Sequence, residues 1–131
     1  MPFICKCGES LFLRKIDSQI EHLHVIITEP QGDPPKSVIV NVSTKRCESD
    51  TTVILKPGEH PFIKHDSVIN YKDALLSLAA KLEEAVNEGH FEASETFDTT
   101  ILKRIQDGLL QSKQTPKNIK TYCNKIWNPT E

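Results

Sequence analysis

A chain of 131 residues with 37% hydrophobic residues, 26% charged residues and a formal charge of -2 is of single-domain size and can bury roughly two thirds of its unfolded surface. The balance excludes a disordered polyelectrolyte and, since no apolar run approaches bilayer length, a membrane-spanning helix. It also excludes a protein that coats nucleic acid through bulk charge, which leaves a local basic patch as the route to phosphate. The first residues, Met1-Pro2-Phe3-Ile4-Cys5-Lys6-Cys7-Gly8-Glu9, lack a basic stretch followed by a long apolar one, so a cytoplasmic location is expected. In that reducing setting Cys5, Cys7, Cys47 and Cys123 read as thiols, because their spacing does not form a paired C-x-x-C zinc site. A metal site drawing on Cys5 and Cys7 is the lesser alternative.

Ser10 to Ile16 reads as a first strand. His22 to Thr28 reads as a second, with Leu23, Val25 and Ile27 on one face and His22, His24 and Thr28 on the other, as the two-residue period requires. Three prolines and a glycine make Glu29–Pro35 a loop, since proline removes backbone donors and fixes φ. Ser37–Thr44, dense in β-branched residues (Val38, Ile39, Val40, Val42 and Thr44), is expected to be a central strand. A polar connection over 45–50 leads to a strand at Thr51–Leu55, ended by a turn at Lys56-Pro57-Gly58-Glu59. Beyond Ile69 the period becomes helical. Leu75, Leu78, Leu82 and Val86 predict a helix with Asn70 as N-cap and Gly89 just past its end. A second helix is predicted over Thr99–Ser112, capped by Asp98, presenting Ile101, Leu102, Ile105 and Leu109 and weakened at Gly108. A third starts at Thr115-Pro116 and carries Ile119, Tyr122, Cys123, Ile126 and Trp127 on one side. The expectation is one α+β domain over 1–131, strand-rich to residue 69, with residues 70–131 as a helical part packed on a small antiparallel sheet or barrel.

Four of the five histidines lie between positions 22 and 65 in two pairs, His22 with His24 and His60 with His65. Imidazole, with an unperturbed pKa of about 6.5, serves as both acid and base near neutrality. A pair of them is suited to metal-free RNA cleavage, one taking the ribose 2′-hydroxyl proton and the other protonating the leaving oxygen. Thr44, Lys45, Arg46 and Lys64 would steady the charge on phosphorus, and Ser67 is a further substrate-binding candidate. The segment Glu59-His60-Pro61-Phe62-Ile63-Lys64-His65-Asp66-Ser67 reads equally as a structural corner in which Pro61, Phe62 and Ile63 plug a core. Asp66 either orients His65 or caps a turn with Ser67. Metal ligation by three or four of the histidines is a competing chemistry, although no carboxylate stands at a diagnostic spacing. No Walker loop, dinucleotide fingerprint or nucleophile elbow occurs.

The succession Val25-Ile26-Ile27-Thr28, proline-rich loop, Val38-Ile39-Val40-Asn41-Val42-Ser43-Thr44, Thr52-Val53-Ile54-Leu55 and Asp66-Ser67-Val68-Ile69 before the helices resembles the MazF/PemK toxins of bacterial toxin–antitoxin pairs, over residues 20–112. The resemblance implies an SH3-like barrel with helical additions, metal-independent endoribonuclease activity without a cofactor, a homodimer, and neutralisation by an antitoxin. Thr44 stands at the strand end where the family carries a catalytic or phosphate-contacting hydroxyl. His22-Leu23 occupy the place of the family's Arg-Pro, and its Gly-Asp opening is absent. Under this reading His22, His24, His60 and His65 take the acid/base work, Thr44 joins them, and Lys45, Arg46, Lys64 and Ser67 hold RNA. The alternative is a barrel kept without the activity, a binding module anchored by Tyr122 and Trp127.

Overall fold

A computed structural model describes residues 2–13 and 23–129. Its centre is β3 (Lys36–Thr44), where the β-branched run forms a nine-residue strand. One edge of β3 pairs with β2 (Leu23–Ile26), and its other edge is shared by β5 (Ser67–Ile69) and β6 (Leu75–Leu78). β1 (Ser10–Leu13) joins β2, β4 (Ile54–Leu55) joins β5, and β7 (Phe91–Ser94) joins β1; every pairing is antiparallel. The path runs β4-β5-β3-β2-β1-β7 with β6 beside β3. Among the described residues its end strands β4 and β7 do not pair with each other, so the expected closed barrel does not form, while the α+β class holds.

Residues opposite one another on paired strands share a face. Leu23, Val25, Ile27, Val38, Val40 and Val42 therefore line one side, where they form the larger core with Ile105 and Leu109 of α2 (Thr99–Gln111) and Ile119 and Cys123 of α3 (Lys117–Trp127). Leu11, Ile26 and Ile39 line the other side and meet Ala79 and Leu82 of α1 (Ala79–Asn87) together with Cys5. Each fully buried aliphatic side chain contributes about 1.5–3 kcal/mol of transfer free energy. The sheet thus lies between α1 and the α2/α3 pair, and β3 supplies both cores.

The helix expected from Leu75 is corrected. Leu75–Leu78 lie opposite Lys36–Ile39 as β6, because the N-terminal half of β3 offers an unfilled edge and backbone pairing outweighs the helical spacing of two leucines. The helix begins at Ala79, whose N–H donates to the Pro35 carbonyl at 3.0 Å. Asn70 precedes a 3-10 turn (Tyr71–Asp73) without a side-chain capping bond. Gly89, with φ at +84°, ends α1 as expected. β7 has no counterpart in the sequence reading, and with β6 it draws residues beyond 69 into the sheet. The strand expected at Thr51–Leu55 is reduced to Ile54–Leu55, and the part of the first expected strand beyond Leu13 lies outside the described residues. In the Lys56–Glu59 turn Gly58 adopts φ of +95°, which only glycine takes without strain.

α2 begins where Asp98 accepts from the Thr100 N–H at 3.0 Å, and α3 begins one residue later than Pro116 as first helical position would give. Thr115 donates to the Leu109 carbonyl at 2.8 Å and so joins the two helices. Gly108 has a packing reason: a methyl there would collide with the Tyr71 hydroxyl and a Val53 methyl. Its absence lets Tyr71, fully buried, donate to the Ile105 carbonyl at 2.8 Å.

Candidate functional site

A cleft of about 540 Å³ opens where β3 ends. Ser43 and Thr44 of β3 line it with Arg46, the Phe62–His65 segment, Ser67 of β5, Asn70 and Lys72. Five of the residues singled out by sequence therefore meet there: Thr44, Arg46, Lys64, His65 and Ser67. Thr44 lies opposite Ser67 in the β3–β5 register, on the same face. The Ser67 hydroxyl donates to the His65 carbonyl at 2.8 Å, which holds the His65 backbone against the strand end.

The segment that delivers Lys64 and His65 is fixed by His60. Its ring is 2% exposed and stacks on Phe97 with centroids 4.3 Å apart. Nδ1 accepts from the Phe62 N–H at 3.0 Å, so the proton sits on Nε2, 2.8 Å from the Glu95 carbonyl and 3.2 Å from the Ser10 hydroxyl. Burial pushes the His60 pKa down, partly offset by the Glu95 carbonyl. Behind it the Ile63 N–H donates to the His60 carbonyl at 2.9 Å and Ile63 enters the core. With both nitrogens engaged inside the protein, His60 is a latch for the turn and does not line the cleft.

The other expected site residues fall elsewhere. His24 sits on the α1 face, opposite Asn41, with its ring edge-on to Phe91 at 5.9 Å. His60 reaches Ser10, which lies opposite Val25 on the α2/α3 face, so the sheet separates His24 from His60. His22 lies outside the described residues. Lys45 donates its N–H to the Asp66 carbonyl at 2.9 Å and its exposed side chain stands outside the cleft lining. The Asp66 carboxylate pairs with Lys56 at 2.9 Å rather than orienting His65. Among the described residues no three His, Cys, Asp or Glu side chains are grouped as metal ligands. Burial raises the Cys7 thiol to about 11, and its sulfur accepts from Gln106 at 3.5 Å. Tyr122 and Trp127, the anchors of the binding-module alternative, pack part-buried against the larger core.

Three cations, Arg46, Lys64 and Lys72, line the cleft, and none of them is in an ion pair among the described residues. Two carboxylates, Glu48 and Asp50, share the lining. Asp50 is committed to structure. Desolvation would raise its pKa, but bonds from Ser112 and Thr52 hold it below the usual range. The arrangement suits an anion bearing several oxygens, since guanidinium grips phosphate in bidentate fashion and ammonium acts as a point charge. Sequence reasoning missed Ser43, Asn70 and Lys72; the one available signal was Asn41, a polar residue interrupting an otherwise apolar central strand. No protein-family model and no curated protein matches this chain.

Proposed function

We propose that this cleft binds RNA and cleaves it without metal, as a toxin-like endoribonuclease. The observation that carries the reading is the meeting in the cleft lining at the end of β3 of His65, Thr44 and the cations Arg46, Lys64 and Lys72, none of them ion-paired among the described residues. His65 takes the proton from a ribose 2′-hydroxyl. The 2′-oxygen attacks phosphorus, the bond to the 5′-oxygen breaks, and the leaving oxygen recovers a proton from the water filling the open cleft. Arg46, Lys64 and Lys72 neutralise the charge gathering on the non-bridging oxygens, with Thr44 donating to one of them. His24 and His60 have no part in the reaction. The resemblance to MazF/PemK toxins supports the same reading and carries with it a cytoplasmic setting, a homodimer and an antitoxin that covers the cleft. No helix among the described residues is long and apolar enough to cross a membrane.

The test is incubation of purified protein with total RNA in EDTA. Wild type cleaves, and His65→Ala is slower by about 10²–10⁴-fold, the usual range for loss of a general acid or base. Intact RNA with wild type at high protein concentration, or cleavage undiminished in both His65→Ala and Arg46→Ala, would remove the reading.

A further inference from the structure

Beside the cationic part of the cleft lies a polar pair unlike a phosphate clamp. The Asn70 side-chain amide donates to Asn41 Oδ1 at 2.7 Å and to the Ser43 hydroxyl at 2.6 Å, and the Asn70 backbone N–H donates to the Asn41 carbonyl at 2.9 Å. The two carboxamides are thereby locked to each other across β3 and the end of β5. Among the described residues no further hydrogen bond engages Asn41 Nδ2 or Asn70 Oδ1, and both residues are part-exposed. The pair offers one donor and one acceptor. If both amides are turned over together, Asn70 Oδ1 accepts from Asn41 and Ser43, and the outward groups become Asn70 Nδ2 and Asn41 Oδ1. One donor and one acceptor result either way.

A fixed donor beside a fixed acceptor is the complement of a nucleobase edge, which carries the same alternation, and carboxamides are the usual readers of such edges. Phosphate, which only accepts when fully ionised, has no use for the acceptor. We infer that Asn41 and Asn70, the latter in the cleft lining with Ser43, form a subsite for one unpaired nucleobase of single-stranded RNA, next to the cations that hold its phosphates. This inference rests on the RNA reading above and adds to it a source of sequence preference.

The experiment is fluorescence titration of short homo-oligoribonucleotides of A, C, G and U with wild type, Asn41→Asp, Asn41→Ala and Lys64→Ala proteins, each checked for a native thermal melt. Wild type is expected to separate the best from the worst oligonucleotide by at least about fivefold, the low end of what a two-bond base contact discriminates. Asn41→Asp is isosteric and replaces the Asn41 side-chain donor with an acceptor, which alters the outward group or breaks the pair, so the ranking collapses or reorders; Asn41→Ala collapses it without adding charge. Lys64→Ala weakens all four oligonucleotides alike and keeps the ranking. If wild type binds all four equally, or both Asn41 variants keep its ranking, the base subsite is overturned while the RNA cleft stands. If wild type binds none of them, the RNA cleft and the subsite fall together.

Discussion

Two histidines five positions apart on one short segment have opposite surroundings, and the difference comes from the first three of the four residues between them. Pro61, Phe62 and Ile63 make a tight turn whose last side chain enters the core; this draws His60 inward and leaves His65 at the cleft. The sequence shows the density of polar groups but not this division, because a tight turn has no periodicity from which to read a face. Local segments were legible where strand end and loop are contiguous, as with Thr44 and Arg46; partnerships across the sheet, such as Asn41 with Asn70, were not. The latch predicts a pH dependence. Burial lowers the His60 pKa from 6.5, so the unfolded chain takes up the proton first. Stability is complete above 6.5 and falls as pH drops through it towards the folded value. Protonation would also set an Nδ1–H against the Phe62 N–H. Melting temperature should therefore be lower at pH 5.5 than at pH 7.5, and the difference should shrink in His60→Gln; an equal drop in the variant would show that another group is responsible. His60→Ala should cost on the order of 2–4 kcal/mol in denaturant titration, from the cavity and the unpaired Phe62 N–H.

Among the elements, α2 and α3 were readable because each buries one stripe at helical spacing and is flanked by residues suited to its start. β6 was not, since Leu75 and Leu78 fit a helix as well as a strand and only the vacant half of the β3 edge decides between them. β7 was missed for a related reason: Phe91–Ser94 is too short and too exposed to announce a strand without β1 beside it. Gly108 shows how packing reverses a propensity argument. On helix propensity alone Gly108→Ala should stabilise α2 by about 0.5–1 kcal/mol. Because the added methyl meets Tyr71 and Val53, we expect destabilisation of about 1–3 kcal/mol, as for other overpacked sites. Chemical denaturation of the variant decides between the signs, and a gain in stability would show that Tyr71 moves aside freely.

For the whole molecule, the formal charge of -2 and the cationic cleft predict a separation between local and global electrostatics. If the three cations each neutralise one phosphate, the logarithm of RNA affinity should fall with the logarithm of salt at a slope of about -2, and Arg46→Ala should reduce that slope by about 0.7. A flat salt dependence would argue against phosphate as the ligand. The composition and strand order legible in the sequence yielded the α+β class; closure was not legible, because whether β4 and β7 meet depends on twist and stagger accumulated over the whole sheet. The arrangement around β3 also sets which part of the molecule opens last. Val38, Val40 and Val42 are buried in the larger core, with β2 along one edge of the strand and β5 and β6 dividing the other, so their amide hydrogens should exchange with deuterium only through global unfolding. Those of the two-residue β4 should exchange through small local openings. The groups at the end of β3 are thus carried by the most protected strand, and partial loosening of the periphery would leave Ser43 and Thr44 in place.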